Sequence, residues 1–559
     1  MPNALVTAAL PYANGPLHLG HLVGYLHADA WVRSRRMEGE RAWFVCADDT
    51  HGTPIMLAAQ SAGVSPETFI AAVQADHEAD FSAFGVAFDR YDSTNSSGNR
   101  QLTEAIYRTL VAGGHIARRD VEQCFDPVAG VFLPDRYVRG ACPRCRALDQ
   151  YGDNCEQCGA AYGPTDLIDP VSVVSGARPE RRTSAHLFFD LGHFQAVLEK
   201  WLEGDVAPAG VKAKLREWLK APEGLKAWDI SRDAPYFGVP IPGEPGKFFY
   251  VWMDAPIGYL STFRTLCEAE GVDWEQALDP AAGAEIHHFI GKDIVNFHGI
   301  FWPAVLQGAG LPLPTRLHVN GYLTVNGAKM SKSRGTFVTA RDYLAAGLEP
   351  EALRYYLSAK GSGQVEDLDF RLDDFAARVN ADVVGKFVNL ASRCAGFLEK
   401  RFDGRLGPLA DAEQFQRFVE ALEPIRTAYA RNDPAQALRR AMALADEANR
   451  TLEGLKPWAL AKQEGEAPAR QVQAACSQGI QLFRLVAIAL KPVLPRTCLE
   501  AEAFLRAPVR CWADAQTPLP ADHCIAPYAP LFVRVDTAPL AKRLAPPELA
   551  RPKSVPRAC

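Results

Sequence analysis

Ala4-Leu5-Val6-Thr7-Ala8-Ala9-Leu10-Pro11-Tyr12-Ala13-Asn14-Gly15-Pro16-Leu17-His18-Leu19-Gly20-His21 is the stretch that decides the fold. The apolar run 4–10 suits a buried strand. Pro11 and Gly15-Pro16 break it. From 17 to 37 apolar residues return at helical spacing, at Leu19, Leu22, Leu26 and Ala30. Strand, turn and helix form the first unit of an α/β sheet. Working outward, 42–46 reads as a second strand, and Ser65 before Pro66 as a helix start with proline in the first helical position. Leu102, Ile106 and Leu110 mark another helix, stopped at Gly113-Gly114. Strand-like runs return at 248–252, 287–290 and 316–319. After about Leu372 the pattern is amphipathic helix, with Leu438, Met442, Ala445 and Leu452 on one face.

A chain of 559 residues allows roughly three to four domains. With 48% apolar and 23% charged residues, it has the composition of a soluble globular protein. The net charge of −6 argues mildly against a nucleic-acid partner, because phosphate neutralisation supplies much of such affinity. A local basic face is enough, however. Residues 376–405 hold Arg378, Lys386, Arg393, Lys400, Arg401 and Arg405 against Asp382, Glu399 and Asp403, although a solvated helix face explains them equally well. No secretory or transit segment is expected. The most apolar run, 480–494, is interrupted by Arg484 and Lys491 and reads as a buried helix, so no membrane span is expected. The thirteen cysteines suit reduced thiols in a cytoplasm.

Three motifs carry chemistry. His18-Leu19-Gly20-His21 opens the first helix, where unpaired N–H groups and the positive dipole end suit a triphosphate. Gly20 would let an adenine lie on the backbone. Alone, the motif reads equally as two unrelated helical histidines. Lys329-Met330-Ser331-Lys332-Ser333, between Gly327 and Gly335, reads as a mobile loop whose lysines could close over a polyphosphate, or as an ordinary basic surface loop. Cys142-x-x-Cys145 and Cys155-x-x-Cys158, nine residues apart, match a closed tetrahedral Zn²⁺ site with a structural role.

The first two motifs, in this order and about three hundred residues apart, resemble the signatures of class I aminoacyl-tRNA synthetases. Further segments resemble the methionyl family in particular: 9–15, Cys46-Ala47-Asp48-Asp49-Thr50-His51-Gly52-Thr53, Trp252-Met253-Asp254-Ala255-Pro256-Ile257-Gly258-Tyr259, 289–293 and 325–328. The resemblance runs from residue 3 to about 540. It implies a Rossmann-type parallel-sheet catalytic domain in two halves (1–114 and 231–325). Between them lies a connective insertion (115–230) with one zinc knuckle. A lysine-loop linker (326–375), an all-α anticodon-binding bundle (376–544) and a disordered tail (545–559) follow.

The resemblance also implies the chemistry and the sites. Methionine would be activated with ATP to methionyl-adenylate and passed to the 3′-terminal adenosine of methionine tRNA. His18, Gly20, His21, Lys329 and Lys332 would hold ATP, with Asp293 toward the ribose and Mg²⁺ accompanying the nucleotide. His18, His21, Lys329 and Lys332 are the expected catalytic groups, acting by position and charge. Ala9, Leu10, Tyr12, Trp252, Pro256, Tyr259, Ile294 and His298 would form the methionine pocket, with Asp49 facing the ammonium group and Tyr and His offering a donor to sulfur. Asn389, Arg393 and Trp458 would read the CAU anticodon. Any homocysteine editing is expected in the synthetic site, because the insertion is too short for a separate editing domain. With no appended C-terminal module, a monomer is expected. The rivals are another class Ia synthetase or an adenylyltransferase, and a non-catalytic RNA-binding relative.

Overall fold

The computed structural model describes residues 3–221, 224–330 and 337–544, with Lys329 described by its backbone alone. Ser331, Lys332, Ser333 and Gly335 of the expected lysine loop, and the expected tail 545–559, lie outside the described residues. The chain divides into two compact units. One holds 1–16, 40–79 and 87–319; the other holds 17–39, 80–86 and 320–559.

The first unit is built on a five-stranded sheet of β1 (Asn3–Ala8), β2 (Arg41–Asp48), β3 (Arg90–Ser93), β4 (Glu285–Gly291) and β5 (Arg316–Asn320). Their spatial order is β5-β4-β1-β2-β3. β1 lies parallel to β4, in register Ala4↔Glu285 to Ala8↔Phe289, and parallel to β2, which is parallel to β3. Ala4, Leu5, Val6 and Ala8 of β1 are buried, as a strand with neighbours on both sides requires. The sheet changes winding direction between β1 and β4, and ligands of doubly wound sheets bind beyond the strand C-termini at that point.

Within the same unit, the hairpin of Ile116–Asp126 with Glu180–Phe189 runs from Ile116↔Phe189 to Phe125↔Glu180. The cysteine pairs lie between its arms. The expected strand over 248–252 is shorter than its composition suggests. Its partner Ser231–Asp233 has three residues, so pairing stops at Lys247–Phe249, and Val251–Asp254 turns helical.

The second unit is mostly helical. It contains α1 (Leu19–Met37), α2 (Pro350–Lys360), α3 (Asn389–Phe402), α4 (Pro434–Leu455) and α5 (Glu466–Leu490). The apolar run that ends α5 is buried throughout, and Arg484 is accommodated there by donating to Thr517 O and Asp514 O. No described helix is long and apolar enough to cross a membrane.

Helix α1 is held by a buried ion pair. Arg354 of α2 and Asp29 of α1 are 1% and 2% exposed and meet at 2.6 Å. Arg354 also donates to Val493 O and Phe84 O, and Arg33 reaches Asp29 at 2.7 Å. Removing one partner of such a pair strands the other without water. Arg354→Met is expected to cost about 3–5 kcal/mol in urea unfolding, with part recovered in Arg354→Met/Asp29→Leu. A cost below about 1 kcal/mol would show that the pair is not what fixes α1.

Candidate functional site

Residues that follow β1, β2 and β4 converge at the winding-change edge of the sheet. Ala9 N–H continues the ladder to Phe289 O at 2.8 Å. Beyond it, Ala13 N–H donates to Asp49 O and Asp49 N–H donates to Pro11 O, so the loops after β1 and β2 remain paired. Tyr12 donates to His51 O at 3.0 Å, and its hydroxyl lies 3.0 Å from where a Gly52 side chain would begin. Gly52 has φ +111°, so glycine meets both the conformational and the steric demand.

Asp49 and Asp254 are the carboxyl groups of this edge. Asp49 Oδ1 is buried and has no hydrogen-bond partner among the described residues. Burial, and after it the neighbouring Asp254, push its carboxyl well above the usual carboxylate range. Asp254 is itself matched by His51, at 2.6 Å. A buried carboxylate oxygen without a partner is costly, and it is suited to a ligand that brings a cation.

Next to it lies an apolar, aromatic wall. Trp252 stacks on Phe297 at 3.6 Å, and His298 meets Trp252 edge-on. Leu10 packs against Gly258, in the helix Ile257–Glu270 that Pro256 opens and that carries Tyr259. Tyr259 and His298, each 2% exposed, are hydrogen-bonded at 3.0 Å, and His298 Nδ1 lies 3.1 Å from Ile294 O. A carbonyl only accepts, so the histidine proton sits on Nδ1, and Nε2 accepts from the Tyr259 hydroxyl. Burial lowers His298 to about 4, which keeps it neutral. The Tyr259 hydroxyl is thus engaged with His298 Nε2, and His298 Nδ1 with Ile294 O. Sulfur–ring contact remains favourable there.

The expected methionine residues of this unit are therefore brought together: Ala9, Leu10, Tyr12, Asp49, Trp252, Pro256, Tyr259, Ile294 and His298. Asp293 lies directly after β4, exposed, in the turn Lys292–Ile294, with its Oδ1 over Gly291. Sequence reasoning passed over His51, Asp254 and Phe297. The first two lie inside stretches singled out for family resemblance, but their pairing needs the fold, and Phe297 is an ordinary core aromatic in sequence.

In the second unit, His18 caps α1. His18 Nδ1 accepts the His21 N–H and His21 Nδ1 accepts the His18 N–H, each at 3.3 Å, and the rings stack at 3.6 Å. The pair reproduces a capping box without a carboxylate, and the first turn has no acid. The positive end of α1 is thus left for an external anion. Burial lowers His18 to about 4. Leu19 N–H donates to Val338 O and Ala340 N–H to Leu17 O, which stitches the motif to the residues just after the lysine pentapeptide. The space over Gly20 holds the Met330 methyl, 2.5 Å from where a Gly20 Cβ would stand.

Farther along this unit, Arg393 lies 4.7 Å over the Trp458 ring and pairs with Glu453. Asn389 is one turn earlier on α3. A flat cation, a half-exposed ring and an amide on one surface are groups that can read unpaired bases.

The four cysteine sulfurs of the insertion lie within 4.8 Å of one another. Cys142 and Cys158 Sγ are 3.8 Å apart, and Cys145 and Cys155 Sγ 3.5 Å. Zn–S bonds of about 2.3 Å require tetrahedral S···S edges of about 3.8 Å. Cys142 Sγ accepts N–H groups from Arg144 and Cys145, and Cys155 Sγ accepts one from Cys158, which favours thiolates. The cluster is compatible with a zinc site.

The sequence matches the family model for class I tRNA synthetases (M) over residues 4–395. It is 68% identical over 534 residues to a methionine–tRNA ligase of Stenotrophomonas maltophilia, covering 95% of this chain and 77% of that one. Identity to the methionine–tRNA ligase of Xanthomonas campestris pv. campestris is 67%, covering 95% and 76%. The fold is that of Mycobacterium tuberculosis methionyl-tRNA synthetase in complex with methionyl-adenylate, with a TM-score of 0.79, 24% identity and coverage of 96% of this chain and all of that one. The free form of that enzyme superposes with a TM-score of 0.71 at 23% identity, covering 96% and 99%.

The depressed His298 value sets a pH dependence. Between about pH 6.5 and 4 the unfolded chain takes up a proton that native His298 refuses, so stability falls as pH drops through that window. In urea unfolding at a series of pH values, His298→Gln is expected to shallow this fall; His18 and His27, also lowered to about 4, keep part of it. An unchanged slope would show that His298 is not buried in its neutral form.

Proposed function

The chain belongs to the methionine–tRNA ligases, a family of class I aminoacyl-tRNA synthetases, and from that premise we propose how its own residues carry the reaction. The observation that supports the reading best is the buried Asp49 Oδ1, without a hydrogen-bond partner among the described residues, beside an aromatic pocket at the winding change of the sheet. Asp49 receives the ammonium group of methionine. Ala9, Leu10, Tyr12, Trp252, Pro256, Tyr259, Ile294 and His298 enclose the side chain. Fixing both ends leaves the carboxylate as the one reactive group. It attacks the α-phosphorus of ATP, a P–O bond forms, and pyrophosphate leaves with the electrons of the broken α–β bond.

No protein nucleophile is required. His18 and His21, at the uncompensated end of α1, hold the triphosphate, with Gly20 beneath the nucleotide, Asp293 at the ribose and Mg²⁺ entering with ATP. Lys329 and Lys332 balance the charge that grows as pyrophosphate departs. The 3′-terminal adenosine hydroxyl of the tRNA then attacks the adenylate carbonyl and AMP leaves. Asn389, Arg393 and Trp458 select the CAU anticodon. Cys142, Cys145, Cys155 and Cys158 hold one structural Zn²⁺, and the protein works in the cytoplasm.

The test is methionine-dependent ATP–pyrophosphate exchange on zinc-replete protein. Exchange is expected with methionine above every other amino acid, falling about a hundredfold or more in His21→Ala and Lys332→Ala. Metal analysis is expected to find one zinc per chain, lost in Cys145→Ser. Fastest exchange with leucine or valine would assign another substrate. No exchange from folded protein would favour a non-catalytic RNA-binding role.

A further inference from the structure

The residues that lead into the lysine pentapeptide form a hairpin whose geometry is set from outside itself. Leu323–Val325 pairs antiparallel with Ala328–Lys329 across Asn326 and Gly327, whose φ angles are +51° and +73°. Two successive left-handed residues make a tight type I′ connection, which Asn-Gly favours. A hairpin this short has few ladder bonds and is marginal alone.

Asp369 supplies what it lacks. It is the middle residue of Leu368–Phe370, which lies parallel to Leu323–Val325 in register Thr324↔Asp369. Its Oδ1 accepts the Thr324 hydroxyl at 2.7 Å and the Gly327 N–H at 2.8 Å, so it holds both a strand and the turn itself. Asn326 N–H donates to Phe370 O at 3.1 Å. On its other side, the Asp369 carbonyl accepts Lys360 Nζ at 2.9 Å and the Tyr356 hydroxyl at 3.3 Å, both from α2. α2 is in turn locked by the buried Arg354–Asp29 pair. One half-buried residue thus joins a fixed helix to the turn from which the lysines extend.

We propose that Asp369 is a positioning residue for amino-acid activation: it fixes the Asn326-Gly327 turn of the hairpin that leads into the lysine pentapeptide, and activation through Lys329 and Lys332 depends on that turn. This rests on the assignment of those lysines to ATP made above. Asp369 touches no substrate, so its effect is on the placement of charge in the transition state. Misplacement of that kind lowers kcat and spares methionine binding, whose pocket is built from other elements.

The test uses the full chain, with exchange kinetics beside methionine binding measured without ATP. Asp369→Ala is expected to lower the exchange kcat about 10- to 100-fold while the methionine Kd stays within about twofold. Asp369→Asn, which keeps an accepting oxygen in the same place, is expected to recover most of the loss. Thr324→Val is expected to give a decrease of about threefold or more, and to add nothing in the Asp369→Ala background. If Asp369→Ala does not fold, Thr324→Val decides, and an unchanged kcat overturns the proposal. So does an Asp369→Ala enzyme within about threefold of wild type, an Asn variant as impaired as Ala, or a parallel loss of methionine affinity. Absence of exchange in the wild-type protein would instead remove the ATP assignment itself.

Discussion

The parallel pairing of β1 with β4 on one side and β2 on the other is the constraint on which the sheet unit depends. It joins Ala4–Ala8 to segments about 40 and 280 residues away, and it brings three chain reversals to one edge. Leu10 and Tyr12, Asp49, and Ile294 with His298 are placed by the ends of three different strands. None of them could be set by local structure. The cost of the arrangement is one carboxylate oxygen, Asp49 Oδ1, buried with no partner among the described residues. A polar atom left so is destabilising in the empty protein, and the ammonium group of methionine, in the role proposed for Asp49, would supply its partner.

The helical unit leaves the positive end of one helix without a fixed counter-charge in its first turn. The first turn of α1 is capped by two histidines that satisfy each other's backbone N–H groups and bring no negative charge. A Ser/Glu capping box would stabilise the helix equally well and repel a phosphate. The helix is fixed far from that end, by Arg354 and Asp29, which leaves its N-terminus to function. The same unit anchors its lysine segment through Asp369.

Much of this was legible in the sequence because the signals are local. The strand–turn–helix opening, the Ser65-Pro66 helix start, the glycine stop at 113–114 and the buried run within α5 follow from spacing and backbone chemistry over short distances. The cysteine spacing was as direct, since two C-x-x-C turns bring four sulfurs together by themselves. Residues 248–252 were misread for a non-local reason: their length as a strand is set by the three-residue partner at Ser231–Asp233. The state of the Tyr259–His298 pair could not be read either. It depends on Ile294 O, a main-chain group that composition does not reveal. The His51–Asp254 pair, 203 residues apart in sequence, was hidden for the same reason.

The central claim is that the sheet edge recognises methionine through the Asp49 carboxylate. The most direct measurement is calorimetric titration of L-methionine, without ATP, into wild-type and Asp49→Asn protein, with the analogue that lacks the amino group as a third arm. Loss of a buried charge pair is expected to weaken methionine binding by about a hundredfold or more in Asp49→Asn, and the deaminated analogue should bind both proteins alike. Equal methionine affinity in the two proteins would contradict the account.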